Sequence, residues 1–491
     1  MAEALQGRAM PKRCARKGGP LECFLDWVVK SAVKWGVPIV ASLIDWGYFF
    51  LMRRPRVLRT IAGVGRRWLP VFPLARHKLL FRAEDVHEVL ERNDDFLLSP
   101  INERKLYGGD FVISLDPGAQ YFEEKALIRA AFPADRSDRL YRIVTAAAEK
   151  RLEGLPEAGK FDLVPFAERV TVDVVREFWG LDPADARSKV VRVPRGAGAD
   201  EGTETMRLWL RKLAALIASR DPAPFGVKEV GHGCGEEYVR YVKEACEAAA
   251  ANRPASEPDD VLGRIVWHSP RTERAWRTAA GLIVTGTTVV TKAFTHAFEQ
   301  LVGNPEALER AIKAATTPDR QALERFMMEA LRFNTVFPMV ARYCPRNTTL
   351  ARGTPRETEI PADTMIAVSP TAAMFDPLVV EEPDEFREYR GRNLNRDWAS
   401  GAGGYAIGDQ YRPVRDRDYA AENWRGIYMH FGSGAHWCPA DEMALAEISA
   451  MCGAVLRRLR APRIAAWLPE LLYRPLRYDG PAVWRLKVKY G

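Results

Sequence analysis

The chain has 491 residues, of which 47% are hydrophobic and 28% are charged. This composition is typical of globular proteins and excludes a wholly disordered chain, a fibrous chain and a polytopic membrane protein. The formal net charge is +8, but acidic and basic residues are mixed along most of the chain, which favours a solvated surface and argues against a nucleic-acid partner. The seven cysteines include no C-x-x-C pair, which argues against a disulfide framework and predicts a reducing, cytoplasmic location.

Two segments are predicted before the main body of the chain. Residues 1–22 are basic and poor in apolar side chains, which predicts a disordered tail. Residues 23–74 predict an N-terminal helical extension, and the apolar run 39–52 within it is shorter than the ~20 residues of a spanning helix. Aromatic residues and the basic pair Arg53–Arg54 favour an interfacial helix on the cytoplasmic face of a membrane. Charged residues that interrupt the run favour the alternative, a pair of helices packed on the body.

Residues 75–491 show helical periodicity with a minor β component. A strand followed by a helix is predicted within 78–97, and strands are predicted at 340–350 and 356–368. Further helices are predicted at 117–131, 142–153, 165–180, 235–252, 258–268, 272–302, 319–333 and 441–458. The stretch 183–235 is rich in Gly, Pro and charge and predicts a mobile, exposed region with one helix from Glu204 to Ser219. No repeat or linker divides the chain, so the fold is predicted to be a single, mainly α domain.

One short segment, Phe431-Gly-Ser-Gly-Ala-His-Trp-Cys-Pro-Ala440, combines features of a metal-ligand loop. Gly432 and its neighbour Gly434 permit a tight turn and a close approach of backbone to a flat ligand. Cys438 lies directly before a predicted helix, whose N-terminal N–H groups would lower the pKa of the thiol. A thiolate in this setting suits an axial ligand of haem iron. The alternatives are an inert buried cysteine and a zinc site in which His436 and Cys438 pair with His232 and Cys234.

The same segment resembles the haem-binding loop of the cytochrome P-450 superfamily, F-x-x-G-x-[H/R]-x-C-x-[G/A]. The resemblance implies the P-450 fold over residues 75–491, a catalytic domain that binds haem b. It also implies that Cys438 is the axial thiolate, that His436 binds a haem propionate and that Phe431 packs near the sulfur.

Other motifs of that family occur in the expected order. Its E-x-x-R motif matches Glu329 and Arg332, and its P-x-x-F-x-x-x-R motif ends at Arg390, which implies a structural triad. Other E-x-x-R matches, such as the one that begins at Glu237, are interpreted as surface pairs. Arg342 matches a propionate-binding arginine, with a solvated surface arginine as the alternative. In addition, Tyr121 and Lys125 are spaced i, i+4 at the start of a predicted helix, where the family places two groups that face a propionate.

The long predicted helix 272–302 departs from the family pattern. Oxygen-activating members carry [A/G]-G-x-[D/E]-T, in which the acid and the threonine relay protons during dioxygen reduction. Here Gly286 is followed by Thr287, Thr288 and Val289, so Thr288 replaces the acid and Val289 replaces the threonine. Thr287 and Thr288 are therefore the catalytic candidates. The missing pair is compatible with a relay through water or a substrate group, with peroxide as the oxidant, or with rearrangement of a peroxide substrate.

The resemblance implies an oxidoreductase that oxidises a hydrophobic small molecule by monooxygenation. A peroxygenase or lipid hydroperoxide isomerase is the alternative, and a haem sensor without catalysis is a second one. A monooxygenase would need a separate ferredoxin or flavin reductase, because the chain contains no flavin or iron–sulfur motif. The residues predicted to line the substrate pocket are Ile283, Gly286, Thr287, Val290, Met339 and Val340.

Overall fold

The computed structural model describes residues 55–68, 71–74, 77–99, 110–193, 200–218, 227–269, 271–317, 319–388, 428–459, 462–464 and 486–491. The predicted tail at 1–22, the greater part of the predicted extension and Arg390 lie outside these residues.

Helices dominate the described part of the chain, as predicted. They are α1 (Pro55–Trp68), α2 (Ala83–Glu91), α3 (Ala119–Ala131), α4 (Ser137–Leu152), α5 (Leu163–Glu177), α6 (Glu201–Ala218), α7 (Val227–Ala251), α8 (Val261–His268), α9 (Thr272–Val302), α10 (Pro305–Ala315), α11 (Arg320–Phe333), α12 (Pro370–Ala373) and α13 (Asp441–Arg458). The side chains of Asn304 and Asp319 cap α10 and α11 by accepting hydrogen bonds from the N–H groups of Ala307 and Ala322. The cap at Asp319 agrees with the predicted start of α11, which the sequence placed within one residue, whereas α10 was not predicted.

The strands form three small sheets. They are β1 (Val71–Leu74), β2 (His77–Leu80), β3 (Gly159–Asp162), β4 (Val340–Cys344), β5 (Thr348–Leu350), β6 (Thr358–Ile360), β7 (Thr364–Val368), β8 (Arg463–Ile464) and β9 (Lys487–Tyr490). The four-stranded sheet has the order β1-β2-β7-β4, the second sheet the order β3-β9-β8, and β5 pairs with β6. In the four-stranded sheet, Ile366 of β7 lies between Lys78 of β2 and Arg342 of β4.

The hydrophobic core surrounds α9. This helix packs against α5, α7, α11 and α13, and its Phe294 and Phe298 have no exposed surface. A helix of 31 residues with apolar side chains on most of its circumference is expected at the centre of a helical protein. Within the residues the structure describes, no helix is long and apolar enough to cross a membrane.

The predicted boundary at residue 75 is wrong, because residues 55–74 belong to the body. Strand β1 pairs antiparallel with β2 across that boundary. Helix α1 packs on α12, and Arg66 Nη1 donates a hydrogen bond to Ala372 O at 2.5 Å. A boundary placed by composition falls inside this hairpin, because the pairing of two strands leaves no compositional signal.

The prediction of a mobile, exposed region through 183–235 is wrong for residues 227–235, whereas the helix predicted within it from Glu204 to Ser219 corresponds to α6. Helix α7 begins at Val227, and a Cβ added at Gly231 would lie 2.7 Å from Leu216 Cβ. The glycines of this segment therefore bring α7 close to α6. Glu237 is buried instead of forming a surface pair, and its carboxylate accepts hydrogen bonds from Trp209 Nε1 at 2.9 Å and from Lys189 N at 2.8 Å.

Candidate functional site

The cysteine loop is held in a conformation that requires glycine. Gly432 and Gly434 have φ angles of +91° and +64°, which favour glycine over other residues. A Cβ added at Gly434 would lie 2.9 Å from Leu90 O, so this glycine also permits the loop to approach α2. Cys438 N donates a hydrogen bond to Phe431 O at 2.8 Å and closes the loop.

We expect Gly434→Ala to destabilise the loop through both its φ angle and the contact with Leu90 O. Gly154→Ala is a matched control, because Gly154 has a φ of +77° and no atom within 4 Å of an added Cβ. The control should cost only the left-handed strain of about 1–2 kcal/mol. Urea denaturation and haem content measure the difference. Equal effects of both variants would show that the contact between the loop and α2 contributes nothing.

The helix that follows the loop does not produce a thiolate by itself. Burial, with a smaller contribution from the charge of Asp441, raises the pKa of the Cys438 thiol to about 12, against the N–H of Ala440 and the charge of Lys125. The predicted lowering of this pKa is therefore wrong for the polypeptide alone, because desolvation outweighs the helix N-terminus. Asp441 has a different role: its carboxylate accepts a hydrogen bond from Trp437 Nε1 at 2.7 Å and ties the loop to α13.

Two residues of α3 support the loop from one side. Tyr121 Oη donates to Ala435 O at 2.6 Å, and Lys125 Nζ donates to Ala435 O and, at 3.0 Å, to Trp437 O. The sequence predicted that both side chains face a propionate, whereas the structure places their hydrogen bonds on loop carbonyls. Burial lowers the pKa of Lys125 to about 8, with a further contribution from Arg129.

Arg342 lies on β4 and is only 5% exposed, so the alternative of a surface arginine is wrong. Burial lowers the pKa of this guanidinium to about 10, partly offset by Asp116 and Tyr121. Its Nη1 donates to Ala341 O at 2.8 Å. Its Nε is buried and has no hydrogen-bond partner among the described residues.

His436 is a second buried group with a spare nitrogen. Burial, together with the charges of Arg342 and Lys125, lowers the pKa of its imidazole to about 3, so the ring is neutral near pH 7. Within the described part of the chain, His436 Nε2 has no hydrogen-bond partner. Buried polar atoms without partners are rare and costly in a native protein. Three basic side chains gathered in the interior, two of them with spare nitrogens, fit a bound group that carries carboxylates, as haem does in its two propionates.

Glu329 and Arg332 form an ion pair with no exposed surface. Arg332 Nη2 and Nε lie 2.8 Å and 3.0 Å from the two carboxylate oxygens of Glu329. Arg332 also donates to Pro383 O at 2.7 Å, and Tyr428 Oη donates to Glu329 Oε2 at 3.0 Å. The sequence did not predict Tyr428, which lies 99 residues from Glu329. The pair therefore connects α11 to the segments on both sides of residues 389–427.

Within the middle of α9, from Gly281 to Phe298, one face carries partly accessible side chains. These are Thr285, Thr288, Val289, Lys292 and His296, which recur every three or four residues. Gly286, Met339 and Val340 of the predicted pocket are also partly accessible. The prediction for Ile283, Thr287 and Val290 is wrong: their exposed fractions are 0%, 5% and 3%, so these three side chains belong to the core. We call Thr285, Thr288, Val289, Lys292 and His296 the accessible row.

The threonines of α9 bond to their own helix. Thr287 Oγ1 donates to Ile283 O at 2.7 Å, and Thr288 Oγ1 donates to Val284 O at 2.6 Å. The sequence contains no carboxylate between Glu273 and Glu299, so none can take the place of the acid. Lys292 Nζ donates a hydrogen bond to Val336 O at 3.0 Å, and this residue was not predicted from the sequence. The only signal for it in the sequence was its i+4 spacing from Thr288.

Comparison with known proteins agrees with this geometry. The family model for cytochrome P-450 matches residues 290–462, from directly after Val289 to beyond the cysteine loop. Pulcherriminic acid synthase of Bacillus subtilis is 22% identical over 388 residues, which cover 78% of this chain and 83% of that protein. Because the match to the family model begins at Val290, it leaves out the two positions at which the long helix departs from the family pattern.

Solved structures show the same fold. A mutant of P-450 EryK of S. erythraea in complex with erythromycin B superposes with a TM-score of 0.64 at 21% identity, over 90% of this chain and 97% of that one. CYP109E1 of Bacillus megaterium in complex with testosterone superposes with a TM-score of 0.64 at 17% identity, over 90% and 99%. The predicted P-450 fold is thereby confirmed, and the family match over residues 290–462, together with the curated relatives, supports the cytochrome P-450 superfamily for this chain.

Proposed function

We propose that the protein is a monooxygenase that binds haem b through Cys438 and oxidises a hydrophobic small molecule. The observation that carries this proposal is the set of buried, under-bonded nitrogens of Arg342 and His436 close to the cysteine loop. No carboxylate of the described residues satisfies these two nitrogens, and a group with propionates would do so. The relatives support a small-molecule substrate, since one solved neighbour binds testosterone and another binds erythromycin B.

Each residue of the site has a specific task in this proposal. Cys438 supplies the thiolate ligand, while His436 and Arg342 donate hydrogen bonds to carboxylates of the bound group. Tyr121 and Lys125 act indirectly, by fixing the carbonyls of the cysteine loop. When bound, the haem supplies the redox chemistry, for which an external ferredoxin or flavin reductase provides electrons. The free cysteines of the described residues agree with a cytoplasmic location.

Proton delivery in this site rests on Thr288 and water. Its hydroxyl lies on the accessible row and donates to Val284 O, so it must rotate away from that carbonyl before it can pass on a proton. A hydrogen bond of this kind contributes about 1 kcal/mol, so the rotation is inexpensive. Val289 has no group to contribute. Thr287 is excluded from this task, because its hydroxyl points into the core.

A second function, the use of a peroxide as oxidant or substrate, is favoured by the lack of any carboxylate on α9 between Glu273 and Glu299. A peroxide carries its oxygen already at the reduction level of peroxide, so its use requires fewer protons from the protein than the use of dioxygen. The deciding experiment compares turnover with NADPH and a surrogate redox chain, with hydrogen peroxide, and with a fatty-acid hydroperoxide. Activity only with a peroxide would replace monooxygenation by the second function. No turnover with any oxidant would favour a haem sensor.

Restoring the acid–alcohol pair should raise the reductase-driven rate if its absence limits proton delivery. The variant is Thr288→Asp with Val289→Thr, for which we expect an increase of about a hundredfold, the lower end of the effect of a positioned proton donor. Thr291→Val is the matched control, because Thr291 is buried one turn further along α9. The measurement is the ratio of reductase-driven to peroxide-driven rates. An unchanged ratio in the double variant would contradict a limiting relay.

A further inference from the structure

Helix α1 presents an apolar stripe to solvent. Val57, Ile61, Val64 and Trp68 follow the spacing i, i+4, i+7 and i+11, which places them on one face of the helix. Their exposed fractions are 40%, 46%, 57% and 70%. We call these four residues the outer stripe. Exposed apolar side chains scattered singly need no explanation, but four on one helical face indicate a contact surface.

The inner face of α1 is held on the body by contacts that fix its orientation. Ala62 is 3% exposed, and a Cβ added at Gly65 would lie 2.5 Å from Phe81 Cδ2. The guanidinium of Arg59 lies 4.7 Å from the centre of the Phe375 ring, and Arg66 donates to Ala372 O. The helix therefore turns small and basic residues inward and apolar residues outward, the reverse of the usual arrangement at a protein surface.

The distribution of charge along the chain indicates what the outer stripe contacts. Residues 1–68 contain 13 Lys and Arg against 4 Asp and Glu, whereas the other 423 residues contain 59 against 60. The whole net charge thus lies at the end of the chain that carries the stripe. Arg56 and Arg67 are exposed on α1 itself. Directly before the helix, the sequence has the apolar run 39–52 and then Arg53–Arg54.

We propose that the outer stripe inserts into the surface of an anionic lipid bilayer, with α1 lying parallel to that surface. An apolar face about 17 Å long, with an aromatic residue at one end and arginines beside it, matches the chemistry of interfacial helices. Anionic headgroups complement the arginines, and the tryptophan suits the boundary between headgroups and acyl chains. The contact is peripheral and does not depend on the proposed reaction.

The test is sedimentation of the full-length holoprotein with vesicles of phosphatidylcholine alone, or of phosphatidylcholine and phosphatidylglycerol in equal parts. We expect binding to the anionic vesicles, weaker binding at high salt, and a partition coefficient at least about tenfold lower for Ile61→Gln with Val64→Gln. Leu378→Gln, at a residue 74% exposed elsewhere on the surface, is the matched control and should bind like the natural protein. An unchanged spectrum of the reduced carbonyl complex checks that the variants are folded.

Three results would overturn the proposal. The first is a failure of the natural protein to bind either kind of vesicle. The second is binding of the double variant as strong as that of the control, which would place any membrane contact on other residues. The third is a dimer, detected by light scattering without vesicles, that the double variant converts to a monomer, because the outer stripe would then be the interface between two copies of the chain.

Discussion

Cys438→Ala is expected to abolish the thiolate-ligated haem. The carbonyl complex of the reduced protein should lose the red-shifted Soret band that a thiolate ligand produces, and turnover should fall to background. The structural reason is that the loop presents this sulfur alone: Cys438 N is bonded to Phe431 O, and Trp437 is held by Asp441, so a neighbouring side chain cannot rotate into its place.

Cys452→Ala is the matched control for this experiment. Cys452 lies on the same helix α13, is fully buried, and burial raises the pKa of its thiol above its usual range. Loss of its sulfur should change stability slightly and leave the Soret band in place. If Cys438→Ala kept the thiolate-type band, or if Cys452→Ala lost it, Cys438 would not be the ligand.

Arg332→Met should destabilise the protein by about 3–5 kcal/mol, the usual cost of leaving one member of a buried ion pair without its partner. The carboxylate of Glu329 would retain Tyr428 Oη and Arg387 N as donors but would lose both nitrogens of the guanidinium. The carbonyls of Met374 and Pro383 would lose a donor as well. The free energy of unfolding, from urea denaturation, measures this effect.

Lys243→Met is the control for the buried pair. Lys243 lies 3.7 Å from Glu247 on α7, and both side chains are about half exposed, so their pair should contribute less than about 1 kcal/mol. Haem content should fall with stability in Arg332→Met and stay normal in the control. A loss of under about 1 kcal/mol in both variants would show that Glu329 and Arg332 do not stabilise the fold.

Local motifs explain what the sequence could predict. The cysteine loop is a run of ten residues, and α13 begins and ends at the residues expected of it, because acidic residues mark its start and arginines its end. The pairing of Glu329 with Arg332 needed only an i, i+3 spacing on a helix. In these cases the interacting residues are neighbours in the chain, so their chemistry could be read directly.

Long-range packing explains the errors. The pocket-lining face of α9 was assigned to Ile283, Thr287 and Val290 instead of to the accessible row. A helix that is apolar on most of its circumference has no periodicity to reveal its orientation. Tyr428 was missed because nothing near it in sequence indicates Glu329. The glycines at 231 and 233 were interpreted as a loop, although their partners Leu216 and Val190 lie at distant positions that only the fold brings together.

The contacts of the cysteine loop also determine when during folding the site can form. Tyr121 and Lys125 are separated from Ala435 by 314 and 310 residues, and Leu90 contacts Gly434 across a similar span. Contacts of such high sequence separation form slowly, because a long stretch of chain must be ordered before they are made. During synthesis, the N-terminal third therefore waits for almost the whole chain to emerge before it can support the loop. We therefore expect the cysteine loop to reach its final conformation late in the biogenesis of this protein.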